Sequence, residues 1–141
     1  MRLVLATNVV VSAILWGGVP HQLLQAATAG TVDLYTSPVF VLIEELRGVL
    51  ARDHLASRLA RQRRNVDEAV EFYARLCQMV VPVDVPRIVP NDPDDDHVVA
   101  AAVAARAHLI VSGDKHLLNL KDRIAISVLK AGEALQFIAS D

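Results

Sequence analysis

Residues 2–6 (RLVLA) are a short, uninterrupted aliphatic run, the pattern of a strand buried on both faces. Thr7-Asn8 ends it, and 9–16 continues as a helix that stops at Gly17-Gly18. A second helix is predicted over 20–29, with Pro20 at its start and Gly30 just past its end. Val32 to Thr36 reads as the second strand. Ser37-Pro38 then supplies an N-cap and a first-turn proline for a helix running to about Arg52. The middle, 53–78, reads as helical, followed by a third strand over Met79 to Val83. Pro90-Asn91-Asp92-Pro93 opens a long helix reaching about Ala107. Leu109 to Ser112 and Ala125 to Val128 are the fourth and fifth strands, and a last helix covers 131–139. Strands alternating with helices give an α/β fold: one domain over 1–141, with a central, mainly parallel five-stranded sheet covered on both faces. In such folds ligands bind outside the carboxyl ends of the strands, near the switch in strand order.

Composition narrows the function. Hydrophobic residues make up 53% and charged residues 21% of 141 residues, which excludes a disordered chain. Aromatics are only 4%, which leaves few stacking platforms and argues against a single-strand binder that works by base–aromatic stacking. The single cysteine, Cys77, excludes an internal disulfide and a cysteine-rich zinc site. A net charge of −2 excludes a generally basic nucleic-acid coat. The apolar N-terminal run is too short and too broken for a membrane span, so it reads as a buried strand of a cytoplasmic protein.

Three acidic features stand at strand or helix ends. Asp114 directly follows the strand LIVS; it either caps the short helix containing Leu117 and Leu118 or faces a ligand. Asp92-Pro93-Asp94-Asp95-Asp96-His97 opens the long helix, where the dipole favours acids as ordinary capping residues. Yet VVAAAVAA follows Asp96 and must be buried almost all round, which places that first turn beside the sheet. Crowded carboxylates repel, and a divalent cation relieves the repulsion. On the helix after Pro38, Val39, Leu42, Ile43, Leu46 and Leu50 define one face. At about 100° per residue Glu44 lies opposite that face and Glu45 at its border. Oxygen ligands without cysteine or paired histidines suit Mg²⁺ or Mn²⁺, and such a site aligns a phosphodiester and activates a water. Phosphate-loop, dinucleotide-binding and nucleophile-elbow motifs are all missing from the sequence. The five histidines (21, 54, 97, 108 and 116) are scattered and read as surface or helix-terminal residues.

LATNVVVSAIL, SPVFVLIEELRGVL and DPDDDHVVAAAVAARAHLIVSGDKHLL together resemble the PIN-domain family, specifically its short VapC-like toxins. The resemblance spans nearly the whole chain. It implies a three-layer α/β/α PIN-like domain and a Mg²⁺- or Mn²⁺-dependent ribonuclease. It further implies a toxin held in check by a cognate antitoxin protein, and often a homodimer. Carried over by position, it assigns metal binding and catalysis to Glu45, Asp96 and Asp114, with Asn8, Asp95 and Ser112 in support. The family pattern begins with an aspartate just before Thr-Asn; this chain has Ala6 there. A methyl group neither ligates a metal nor positions a water. Losing even an outer partner of a metal ligand costs about 10–100-fold in affinity or activity, so this chain is expected to cleave RNA poorly or not at all.

Two other readings compete with the nuclease. One is a non-catalytic module that keeps the scaffold to hold RNA or an antitoxin. The other is a phospho-acceptor domain of the receiver type, which needs an acidic pair after the first strand; Ala6-Thr7 does not supply it. Arg58, Arg61, Arg63 and Arg64 on the basic middle stretch read either as an RNA-phosphate contact or as a solvated helix face.

Overall fold

The computed structural model of the chain describes residues 1–37, 42–83, 93–120 and 124–140. Five strands form one sheet: β1 (Arg2–Leu5), β2 (Asp33–Thr36), β3 (Gln78–Met79), β4 (Leu109–Val111) and β5 (Ser127–Leu129). Their spatial order is β3-β2-β1-β4-β5, and every pairing is parallel. The helices are α1 (Thr7–Leu15), α2 (Val19–Thr28), α3 (Leu42–Leu50), α4 (Asp53–Arg61), α5 (Val66–Leu76), α6 (Pro93–Ala105), α7 (Lys115–Leu118) and α8 (Ala131–Ala139).

Alternation along the strands builds two cores, one on each face of the sheet. Leu3, Leu5, Leu34, Leu109 and Val111 pack with apolar residues of α1 to α5 and α8. Val4, Ala6, Ile110 and Val128 pack on the opposite face against α6 and α7. Leu3, Val4 and Leu5 of β1 and all of β4 are buried, which is why these runs show no polar alternation. The three-layer α/β/α arrangement expected from the sequence is therefore observed. α1 is almost wholly buried in the larger core, whereas α2 packs on α1 and α8 and buries only Leu23 and Leu24. Among the described residues, no single helix is long and apolar enough to cross a membrane.

Several element boundaries differ from the sequence reading. The basic stretch 53–78 is two helices, not one. α4 ends where Arg63 adopts φ 57°, and the Arg64 N–H returns to the Leu59 carbonyl at 2.9 Å, closing the helix end. Asn65 then caps α5, its side chain accepting from the Glu68 N–H at 2.9 Å. The left-handed position usually falls to glycine; an arginine there hid the break. The third strand is only Gln78–Met79, extended by the Val80 N–H bond to the Thr36 carbonyl; Pro82 has no N–H to continue the ladder. β5 begins two residues later than expected, in a register set by Ile110 against Val128. The predicted helix starts at Pro38 and at Pro90-Asn91-Asp92 lie outside the described residues. Ser37 is described, and its hydroxyl accepts from the Leu42 N–H at 3.3 Å.

Cys77 closes α5 through its N–H bond to the Tyr73 carbonyl, and its side chain lies in the larger core. Burial pushes its thiol up to about 12, and the neighbouring Tyr73 hydroxyl offsets only part of that. A thiol whose pKa is raised on folding keeps its proton in the native state while the unfolded chain releases it. Stability therefore falls as pH rises above the unfolded value near 9. The expected slope is about 1.4 kcal/mol per pH unit from this group. Urea titrations between pH 8 and 11 should show that decline, and Cys77→Ala should flatten it; an equal slope in both proteins would contradict the burial argument.

Candidate active site

The strand order reverses between β1 and β4, so the crevice that an open parallel sheet offers to ligands lies at their carboxyl ends. Leu5 pairs with Val111, and the Ala6 N–H adds one more rung to the Val111 carbonyl at 2.9 Å. Ala6 is also the N-cap of α1. It has extended backbone (φ −66°, ψ 153°), and its carbonyl accepts from Val9 and Val10 at 3.0 and 3.1 Å. No side chain caps this helix. The position favours Asp, Asn, Ser or Thr for helix geometry alone, and alanine is among the poorest residues there. By strand alternation the Ala6 methyl sits on the α6 face of the sheet.

Across the crevice, Ser112 and Asp114 form a linked turn. The Ser112 N–H is held by the Leu129 carbonyl of β5 at 3.0 Å, and its buried Oγ accepts from the Asp114 N–H at 3.0 Å. Asp114 caps α7, one carboxylate oxygen accepting from the His116 N–H at 2.8 Å. Capping occupies only part of a carboxylate's acceptor capacity, so the cap and a ligand role coexist in one side chain.

The third wall is the first turn of α6. Asp95 and Asp96 are both buried, at 7% and 3% exposure. Asp95 lines the cavity and Asp96 does not, because one residue along a helix turns the side chain by about 100°. Asp95, the supporting acid of the sequence reading, is the one of the two that lines this cavity. Glu45 reaches the same cavity from α3 and is half-buried. Glu44 is exposed and pairs with Arg47 at 3.7 Å, as the helical phase of this segment dictates.

Together Ala6, Thr7, Asn8, Glu45, Asp95, Val98 and Asp114 enclose a cavity of about 210 Å³. Donor atoms of Asp95, Asp114 and His116 all lie within 4.8 Å of one another. One divalent cation with ligands near about 2.1–2.4 Å spans such a set, so the residues present fit a metal. A profile of the PIN domain matches residues 2–116. The chain belongs to the PIN-domain family. PIN domains are a family of metal-dependent nucleases, and the acid cavity of this PIN domain lies within the matched segment. Neither a curated protein nor a solved structure matches the chain.

His116 is the residue that sequence reasoning passed over. Its neighbours gave no paired-histidine spacing; the available signal was its place two residues after an acid that caps a helix. Two other histidines of the PIN domain are tied to the backbone. The His108 ring accepts from the Arg2 N–H at 2.9 Å, and the His21 ring meets the Ala13 carbonyl at 3.1 Å.

The four arginines do not form one patch. Arg64 donates to the Ile14 carbonyl at 2.9 Å, Arg58 to the Leu15 carbonyl at 3.4 Å, and Gln62 to the same carbonyl at 3.1 Å. These are last-turn carbonyls of α1, whose C-terminal partial charge attracts cations. Arg61 and Arg63 are exposed. Two of the four arginines therefore hold the fold. The double variant Arg58→Gln/Arg64→Gln should lose about 1 kcal/mol per bond removed in urea unfolding. Arg61→Gln/Arg63→Gln should stay within about 0.5 kcal/mol of the parent. Equal losses would contradict the division.

Proposed function

We propose that this PIN domain is the divalent-metal-dependent endoribonuclease of a toxin–antitoxin pair, strongly impaired at Ala6. In this reading it acts on RNA in the cytoplasm, is held by a cognate antitoxin protein, and pairs with a second copy of itself. The observation that carries the reading is the composition of the cavity. Glu45, Asp95 and Asp114 line it from three separate elements, and the Ala6 methyl occupies its β1 wall.

Asp95, Asp114 and His116 are the residues that would hold the ion. When bound, Mg²⁺ or Mn²⁺ supplies Lewis-acid polarisation of a phosphoryl oxygen and lowers the pKa of a coordinated water. Glu45 lies on the wall outside the closest donor set, where its carboxylate takes a proton from the attacking water or orients it. The Asn8 Oδ1 accepts from the Val9 N–H at 2.9 Å, which leaves its amide NH₂ to donate to a phosphate oxygen. Ser112 fixes Asp114 through the 3.0 Å bond to its N–H. The imidazole nitrogen tilts the donor set from Mg²⁺ towards Mn²⁺, since Mg²⁺ prefers all-oxygen surroundings. A carboxylate at position 6 would add a fourth ligand, the third with a charge, and would cap α1 at the same time.

Ala6 also favours a second reading, a non-catalytic module that holds RNA or the antitoxin. Comparing the chain with Ala6→Asp separates the two. With labelled single-stranded and structured RNA in Mn²⁺ or Mg²⁺, the variant should cleave at least about 10–100-fold faster, and EDTA should abolish cleavage. Equal rates would contradict the role given to position 6. If neither protein cuts while both bind RNA in EDTA, the binding module is the correct reading.

A further inference from the structure

The acid cavity does not end at Glu45. A groove of about 360 Å³ shares Thr7, Asn8 and Glu45 with it and passes between α1, α3 and α4 to Trp16 and Arg52. Trp16 is the only tryptophan in the chain, and it is 41% exposed at the C-terminal end of α1. Leaving so large an apolar ring in water gains nothing for the fold. Its position is nevertheless fixed: the Arg58 guanidinium lies 4.7 Å from the ring centroid and is itself held by the Leu15 carbonyl. Arg58 covers part of the ring, and 41% of the residue stays open to solvent. Arg52 is exposed at the N-terminus of α4.

We propose that this groove is a nucleotide subsite, in which Trp16 stacks a base of single-stranded RNA and Arg52 holds the adjoining phosphate. The proposal rests on the ribonuclease reading and adds to it where the strand lies on leaving the acids. An indole held by one guanidinium, in a groove that a second guanidinium also lines, suits a π-face that carries negative charge beside it, as a nucleotide does. Base stacking on an aromatic ring is sequence-tolerant, so this subsite selects for unpaired RNA without choosing a base.

The lone tryptophan makes its own emission a reporter of the groove. The probe is fluorescein-labelled hexa-adenylate RNA, titrated in Mg²⁺ and followed by anisotropy and, with unlabelled RNA, by Trp16 emission. The two curves should share a midpoint, with emission quenched at saturation. Trp16→Leu should weaken binding on the order of 10-fold and Trp16→Phe by less. Arg52→Gln should lower the slope of log affinity against log salt by about 0.7. A duplex of the same length should not quench. Thermal melts check that each variant folds. Should Trp16→Leu fail that check, the emission curve, Trp16→Phe and Arg52→Gln still decide. RNA bound with unaltered emission and unaltered affinity in the variants would overturn the subsite, assign the groove to a protein segment, and leave the nuclease reading standing. RNA that fails to bind at all would overturn both.

Discussion

The hydrogen bond from the Ala6 N–H to the Val111 carbonyl, 2.9 Å long, is the last rung between the two strands that flank the reversal in sheet order. Parallel pairing makes both strands end on the same side, and the reversal sends the chain away from that point in opposite directions. α1 leaves to one face, and the Ser112–Asp114 turn leads to α7. A crevice remains that neither connection fills. Each polar residue of the site is positioned from this rung. Ala6 and Thr7 follow β1, and Asp114 follows β4. α6, packed on the Val4 and Ala6 face, brings Asp95 to the same point.

The same geometry explains the energetic tension at the site. Asp95 is buried, Asp114 is partly buried, and Glu45 shares their cavity. Like charges brought together repel one another, and a cation relieves that repulsion. An aspartate at position 6 would add a fourth carboxylate: favourable to α1 as a cap, unfavourable to the apo protein by repulsion, and favourable to the metal-bound form. Alanine removes the repulsion and leaves the N-cap position itself without a side-chain acceptor.

Much of the architecture was legible because buried parallel strands have a distinctive composition. RLVLA and LIVS could only be strands covered on both faces, and the alternation with helices set the fold class. Glu45 was separable from Glu44 because α3 has one apolar stripe, which fixes its rotation. α6 has no such stripe. VVAAAVAA is apolar nearly all round, so its sequence does not say which of two adjacent aspartates faces the cavity, and only packing placed Asp95 there. The break between α4 and α5 was hidden by an arginine in a backbone conformation that usually belongs to glycine. The arginines themselves were read as a surface charge; that Arg58 and Arg64 bond to α1 carbonyls depends on a contact distant in sequence.

The central claim is that Asp95, Asp114 and His116 form one divalent-cation site and that position 6 belongs to it. Calorimetric titration of Mn²⁺ into the chain and into Ala6→Asp tests this without relying on any substrate. The account predicts saturable binding in both proteins, at least about 10-fold tighter in the variant. Equal affinities, or no binding in either protein, would contradict it.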